Sequence, residues 1–475
     1  MKKILITALS FVVLSSCMSD DKYDDYNRDP KNPTQVEADF LFNAATKSLF
    51  DQMTSTNVNS NVYRLLAQYW TQTTYIDESN FDLNNRNIPQ NHWSEMYRDV
   101  LLDLDTAKEN VIADAELTQG EKDARLAQIE VLAVYTWQQM VDSFGDIPYS
   151  QALNASEYTL PVYDDAATIY EDLVSRINAA IPNLTGSGFG TDNIYGGDIS
   201  AWAKFANSLK LRIGMRVADA PGMASLSQSA VESAVAAGVF TSNDDNATIA
   251  YAATTPNTNP LWVDLVQSGR SDFVAANTVV DIMNTLEDPR RDVYFDQNLD
   301  GDYVGGPYGD NNSFSNYTHI GALMHQPEFR GVLLDFAEVS FFLADASERG
   351  YNVGGTAAEH YNNAITASFE DWGVDGAAAY LSKSDVAYSS AAGDWKTKIG
   401  RQFWLAMYNR GFEGWTAWRT YDTPALNVPV NTGNAVPFRY TYPVNEQNLN
   451  ETNWNAAATA IGGDAQSTKL FWDVN

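Results

Sequence analysis

From residue 91 onward, apolar side chains recur every three or four positions. Trp93, Met96, Tyr97, Val100, Leu101, Leu104, Ala107 and Val111 form one stripe, which predicts an amphipathic helix over 91–112. Past a polar turn at Thr118-Gln119-Gly120, a second helix is predicted over 121–144. Leu126, Ile129, Ala133, Trp137, Met140, Val141 and Phe144 line one side of it, and Ala127, Val131 and Val134 make a second apolar stripe. A helix apolar on two faces must be an inner one. It stops at Phe144-Gly145-Asp146-Ile147-Pro148, where Gly accepts a left-handed cap and Pro cannot continue the hydrogen-bond ladder.

The helix-turn-helix unit recurs. Residues 163–182 are expected to pair with 200–219, 332–350 with 356–373, and 396–409 with 412–421. Ala357, Tyr361, Ala364 and Ile365 give the small-aromatic-small pattern of a tetratricopeptide helix, although the period is too irregular for a strict array. The fold class read from this is all-α: an irregular helical-repeat scaffold of tetratricopeptide-like helix pairs, each burying its face on the next. Between the pairs lie long Gly, Asn, Asp and Tyr-rich segments, chiefly 183–198, 251–274, 296–327 and 422–456. Loops of that length are functional or disordered, and the aromatics of 303–317 argue for order.

The first residues carry a different pattern. Lys2 and Lys3 precede an apolar run from Ile4 to Leu14, a length that suits a signal peptide and is too short to span a bilayer. Leu14-Ser15-Ser16-Cys17 follows, similar to a bacterial lipobox in which the Cys17 thiol receives diacylglycerol. An ordinary secretory signal with an incidental cysteine is the alternative. Cys17 is the sole cysteine, so an intramolecular disulfide is impossible and its value is chemical. At about 0.8 kcal/mol per buried methylene, two or three acyl chains would anchor the chain stably. The organisation expected is a lipoprotein signal peptide over 1–16, an acidic lipidated tether over 17–34, and one helical domain over 35–475. A short acidic stretch behind such a cysteine also resembles the surface-export signal of Bacteroidetes lipoproteins.

Charge narrows the partners. The 475 residues carry 61 Asp and Glu against 30 Lys and Arg, a net charge of −31, which argues against nucleic acid. It also disfavours polyanionic ligands relative to neutral oligosaccharides or peptides, unless a local basic pocket overrides it. Twelve Trp, 25 Tyr and 21 Phe exceed what a core of this size needs, so some are expected at a surface that meets a ligand or partner.

The ordered set of motifs resembles the SusD/RagB family of nutrient-binding outer-membrane lipoproteins of Bacteroidetes. It comprises the lipobox at Cys17, Asn32-Pro33-Thr34, Phe144-Gly145-Asp146-Ile147-Pro148-Tyr149 and Tyr170-Glu171-Asp172-Leu173. It continues with 205–212 (Phe205 to Arg212), Asp288-Pro289-Arg290, Ala337-Glu338-Val339 with Leu343-Ala344-Asp345-Ala346, and Tyr442-Pro443-Val444-Asn445-Glu446. Asp345 stands where the family more often has Glu, and the starch-binding aromatic arc of the best-known members does not map onto these residues. The resemblance implies an all-α fold whose long ordered loops form a ligand-binding half. It further implies a non-enzymatic lid over a SusC-like TonB-dependent transporter, taking up oligosaccharides or peptides at the cell surface of the outer membrane.

Sugar or peptide capture needs flat rings for stacking and a few amides or carboxylates for orientation. The segment 68–80 supplies both, with Trp70 and Tyr75 as platforms and Asn80 as a hydrogen-bonding neighbour; the other reading puts Tyr69 and Trp70 in the core. Trp93 fits its helix stripe and is read as core. Trp262, Tyr303, Tyr308 and Tyr317 sit in loop composition and are ligand candidates, and Arg270 is a candidate for a carboxylate or sulfate unless it pairs with a neighbouring Asp. Asp296, Asn298, Asp300 and Asp302, with Gly301, have the alternating oxygens of a calcium loop, but position twelve is Pro307 rather than Glu. Calcium is therefore an optional cofactor, a plain Asp/Gly turn is the alternative, and no cofactor is required. His319, His325 and Glu328 have no metal-binding spacing, and Glu338 is expected to be buried in a structural salt bridge or capping contact. An all-α glycoside hydrolase and a structural surface lipoprotein that binds no nutrient are the other classes left open.

Overall fold

The computed structural model describes residues 36–475. The signal peptide, Cys17, the 17–34 tether and Asn32-Pro33-Thr34 lie outside the described residues. Helix makes up 52% of the structure and strand 5%, so the strands serve only as local clips on a helical body. The principal helices are α1 (Ala38–Thr54), α2 (Leu102–Ala113), α3 (Gln119–Phe144), α4 (Ala166–Ala180), α5 (Ile199–Arg216), α6 (Ala224–Ala237), α7 (Asn277–Leu286), α8 (Phe336–Glu348), α9 (Ala357–Asp371), α10 (Trp395–Ala406) and α11 (Gly411–Tyr421). Three antiparallel ribbons join β1 (Trp70–Gln72) to β5 (Phe273–Ala275), β2 (Ile147–Pro148) to β3 (Tyr163–Asp164), and β4 (Ala247–Ile249) to β6 (Gly331–Leu334).

The helices begin where the sequence can satisfy their free N–H groups. Thr118 and Glu121 form a capping box at α3, Thr356 and Glu359 another at α9, and Asp165, Asp198, Asp335 and Asp394 cap α4, α5, α8 and α10. Each cap is worth about 1 kcal/mol. The two-faced α3 is inner as expected: nearly every residue from Ala127 to Phe144 is buried, and Gly145 ends it at φ 86°.

The helix pairs stack as expected in the second half, where α8 packs on α9 and α10 on α11. In the first half 91–112 packs on α3 as expected, though more extensively on α1, and α3 packs as much on α4. α5 packs chiefly on α6, with only a lesser contact between 163–182 and 200–219. The partner that α5 takes, α6, is built from Ala and Ser, and only Ser227, Ala230, Val231 and Ala234 are buried along it. Small residues make a faint stripe. They also let helices approach closely: a side chain at Gly214 of α5 would lie 2.9 Å from Val231 and 3.1 Å from Ala230. The 91–112 helix is interrupted as well, with a π segment at Glu95–Leu101 before α2, though Trp93 is buried with the core.

Where α3, α5, α8 and α11 meet, the interior is ionic. Arg212 Nη1 lies 2.7 Å from Glu413 Oε1 and 3.4 Å from Glu338 Oε1, and Arg410 Nη1 lies 2.5 Å from Glu338 Oε2 and 3.2 Å from Asp335 Oδ2. Arg216 reaches Glu413 at 3.4 Å and Asp142 at 3.1 Å, and Asp142 also accepts from Tyr170 at 2.6 Å and Trp472 at 2.9 Å. Burial works against every carboxylate here. At Glu413 the guanidiniums of Arg212, Arg410, Arg216 and Arg419 outweigh it and hold the carboxyl below its usual range. At Glu338 burial prevails and draws the carboxyl upward. Glu338 is thus the buried salt-bridge partner its apolar neighbours predict. Removing one partner strands buried charge, at a cost of about 3–5 kcal/mol. Glu413→Ala should lower the unfolding free energy by about that amount in urea denaturation, and a loss under about 1 kcal/mol would contradict the account.

Candidate functional site

The β1–β5 ribbon brings together two segments just over two hundred residues apart. Trp70 faces Ala275, Thr71 faces Val274 and Gln72 faces Phe273. The pairing continues one rung further, with the Thr73 N–H donating to Asp272 O at 2.9 Å and the Thr73 hydroxyl to Ser271 O at 2.6 Å. Beyond that rung Tyr75 adopts φ 52°, a left-handed conformation that costs a bulky side chain of order 1–3 kcal/mol. The chain turns off the ribbon there, leaving the Tyr75 ring 66% exposed. Arg270 of the opposite segment lies over it, its guanidinium carbon 5.8 Å from the ring centre.

These residues wall a cleft of about 230 Å³. Gln72 and Phe273 form its floor, Asn57, Asn59, Thr74 and Ser268 supply amides and hydroxyls, and Arg86, Asp264, Arg270 and Asp272 supply charge. The floor is locked: Gln72 Nε2 donates to Glu78 Oε2 at 2.6 Å, Gln72 Oε1 accepts from Ser79 N at 2.9 Å, and Glu78 is ion-paired with Arg86. Arg270 Nε lies 2.5 Å from Asp272 Oδ2, the neighbouring-Asp pairing that its sequence context allowed. Asp264 sits on a π segment (Val263–Gln267), where burial, reinforced by the charge of Asp272, pushes its carboxyl up to about 6. Two other clefts of about 230 and 280 Å³ contain none of the sequence candidates.

Tyr75 and Arg270 are the two candidates the structure unites. Three others are corrected. Trp70 is fully buried, donating from Nε1 to the Tyr408 hydroxyl at 3.0 Å and lying under Arg64 at 5.2 Å, because the ribbon turns its ring inward. Asn80 is buried between two loops, its amide donating to Ile76 O at 2.8 Å and Gly309 O at 2.9 Å. Tyr308 is buried with its hydroxyl on Leu65 O at 2.7 Å. The 303–317 loop is ordered for a structural reason: Gly306 N donates to Ala275 O at 2.8 Å and Asn277 N to Gly306 O at 2.9 Å, so it zips along β5. Gly305 must be glycine there, since a Cβ would lie 2.3 Å from Asn277 Cα.

Tyr303, Tyr317 and Trp262 are half-buried and do not line the cleft. The Tyr303 hydroxyl donates to Asp292 at 2.8 Å, and Tyr317 O accepts from Asn298 at 3.0 Å. The 296–302 segment takes the form of the plain Asp/Gly turn that was its alternative. Asp300 and Gly301 both take positive φ, and Asp302 N donates to Leu299 O at 3.0 Å, the signature of a tight hairpin turn. The Asn298 oxygen is taken by His319 N at 3.0 Å, and among the described residues no three His, Cys, Asp or Glu side chains converge to hold a metal. The site residues that the sequence reading missed are Asn57, Asn59, Thr74, Arg86, Asp264, Ser268 and Asp272. The alternation Arg270-Ser271-Asp272 before an apolar strand was their one readable signal.

A family model described as starch-binding and associating with the outer membrane matches residues 30–443. The chain belongs to this SusD-like family. A solved chitin-binding SusD homolog from Flavobacterium johnsoniae is 26% identical, with a TM-score of 0.79 over 92% of this chain and 99% of its own. SusD homologs from Bacteroides thetaiotaomicron (24% identity, TM-score 0.78, covering 93% and 100%) and Bacteroides ovatus (25%, 0.76, 92% and 99%) share the fold. No curated protein sequence matches. SusD-like proteins are non-catalytic binding proteins, which sets aside the glycoside hydrolase reading. No helix among the described residues is long and apolar enough to cross a membrane.

Two measurements separate packing from binding. Trp70→Ala should lower stability by about 3–5 kcal/mol in denaturant titration, as for a buried core aromatic. Carboxyl NMR should find the Asp264 carboxyl titrating near pH 6, assigned as the resonance lost in Asp264→Asn, so that the cleft gains about one unit of positive charge as pH falls from 8 to 5. A normal Asp264 titration near pH 4 would refute the desolvated cleft.

Proposed function

We propose that this chain is a lipid-anchored cell-surface protein of the outer membrane that binds oligosaccharides in the Tyr75–Arg270 cleft and delivers them to a SusC-like TonB-dependent transporter. The observation that carries the reading is the exposed Tyr75 ring beside a polar cleft, in a chain matched by a starch-binding family over residues 30–443. Aromatic faces stack on the C–H faces of pyranose rings, while amides and hydroxyls fix their orientation. The chitin-binding relative supports a glycan over a peptide. Cys17, behind its lipobox, supplies the anchor, and the partner contact is expected to exceed about 1,200 Å² in total, as for lasting complexes.

Tyr75→Ala should weaken glycan binding about three- to tenfold, matching 0.5–1.5 kcal/mol for an aromatic contact, with an unchanged helical circular-dichroism spectrum. Unchanged affinity across starch- and chitin-derived oligomers would remove the cleft from the site, and co-purification with a transporter without glycan binding would favour a structural protein. Cys17→Ala should release the chain from the membrane fraction, since the acyl chains provide the attachment.

A further inference from the structure

The cleft contains a carboxylate that the protein leaves without a counter-ion. Asp264 is half-buried at the cleft wall, and among the described residues no Lys or Arg nitrogen lies within 4.0 Å of it. The other acids there are matched: Asp272 by Arg270 at 2.5 Å, and Glu78 by Arg86. Arg64, whose charge reaches Asp264, gives its guanidinium to the carbonyls of Thr54 and Ser55 at 2.9 Å and of Asn409 at 2.5 Å. Arg86 and Arg270 are thus each committed to a carboxylate of their own, Glu78 and Asp272, and Asp264 is the acid of the cleft without a direct ion pair among the described residues.

A ligand that covers Asp264 strips its water. A neutral sugar returns hydroxyl hydrogen bonds but no charge, and a carboxylated or sulfated sugar adds repulsion; a cation compensates in full. The ammonium must come on a body that also suits the Tyr75 ring and the hydroxyls and amides of Asn57, Asn59, Thr74 and Ser268. A pyranose bearing an amine offers an apolar face, hydroxyls and the cation together, and the ring face of tyrosine itself attracts cations. A lysine side chain offers the ammonium without the flat polyhydroxylated ring.

We propose that the cleft selects glycans carrying free amino groups, with a hexosamine ammonium docked against Asp264 beside Tyr75. This rests on the glycan-binding function proposed above and specifies its ligand class. Asp264 is then the residue that sets specificity, separate from the stacking platform.

The test is calorimetric titration of the full chain at pH 6.5 with three probes: the hexamer of glucosamine, the hexamer of N-acetylglucosamine, and trilysine. The glucosamine hexamer should bind about tenfold more tightly than its acetylated counterpart, the worth of one partly desolvated charge pair. Asp264→Asn, nearly isosteric and checked by its melting temperature, should bring the two hexamers to equal affinity. Equal affinities in the native chain, a preference that survives Asp264→Asn, or trilysine binding as tightly as the glucosamine hexamer would overturn the assignment. Binding of the acetylated hexamer without preference removes only the amino-sugar assignment. Failure of both hexamers and of starch-derived oligomers to bind removes the glycan reading with it.

Discussion

Three arginines and four carboxylates share one dry interior, and the body of the protein is arranged so that each of these charges is answered. Arg212, Arg216 and Arg410 pair with Asp142, Asp335, Glu338 and Glu413, which come from α3, α5, α8, α11 and the residues flanking them, while Arg419 beside them gives its guanidinium to the carbonyls of Asp142 and Phe438. Such a network contributes little net stability over a well-packed apolar core, but it tolerates almost no displacement, because a shifted partner exposes an uncompensated charge. It therefore fixes the register of helices from four different pairs. In a chain with twice as many acids as bases, committing these arginines to the interior also leaves few cations for the surface.

The constraint reaches the cleft through consecutive contacts. Arg410 follows Asn409, whose carbonyl receives Arg64; Arg64 also holds the last carbonyl of α1 and lies over Trp70, the first residue of β1. β1 in turn sets the register of β5, and thereby the meeting of Tyr75 with Arg270. Scaffold and site are divided in labour: buried rings and charges hold a short ribbon, and the ribbon ends in an exposed ring, a charge pair and an unmatched carboxylate.

The helices were legible in the sequence because a long amphipathic period survives any tertiary context, and Trp93 and Glu338 could be placed from their neighbours alone. The α5–α6 pairing in the first half was not, because α6 buries small residues that leave a weak hydrophobic signal. Loop aromatics misled for a different reason. Trp70 and Tyr308 lie in irregular sequence, yet backbone zipping between β1, β5 and the 303–317 loop draws them inside, and only long-range pairing decides which way a ring points. Tyr75 and Arg270 were identified singly. That they form one site depends on a register set across the chain, which local pattern does not contain.

The same ribbon has a consequence for biogenesis. Contacts between residues near 70 and near 275, sealed by the loop that follows and by Asn431 and Asn434 reaching Gly309 and Asn80, give the site a far higher contact order than the helix pairs beside it. Helical hairpins can assemble as the polypeptide emerges, whereas the Tyr75–Arg270 cleft is among the last features to mature. A chain that lacks its last fifty residues would be largely helical and yet hold this cleft unsealed.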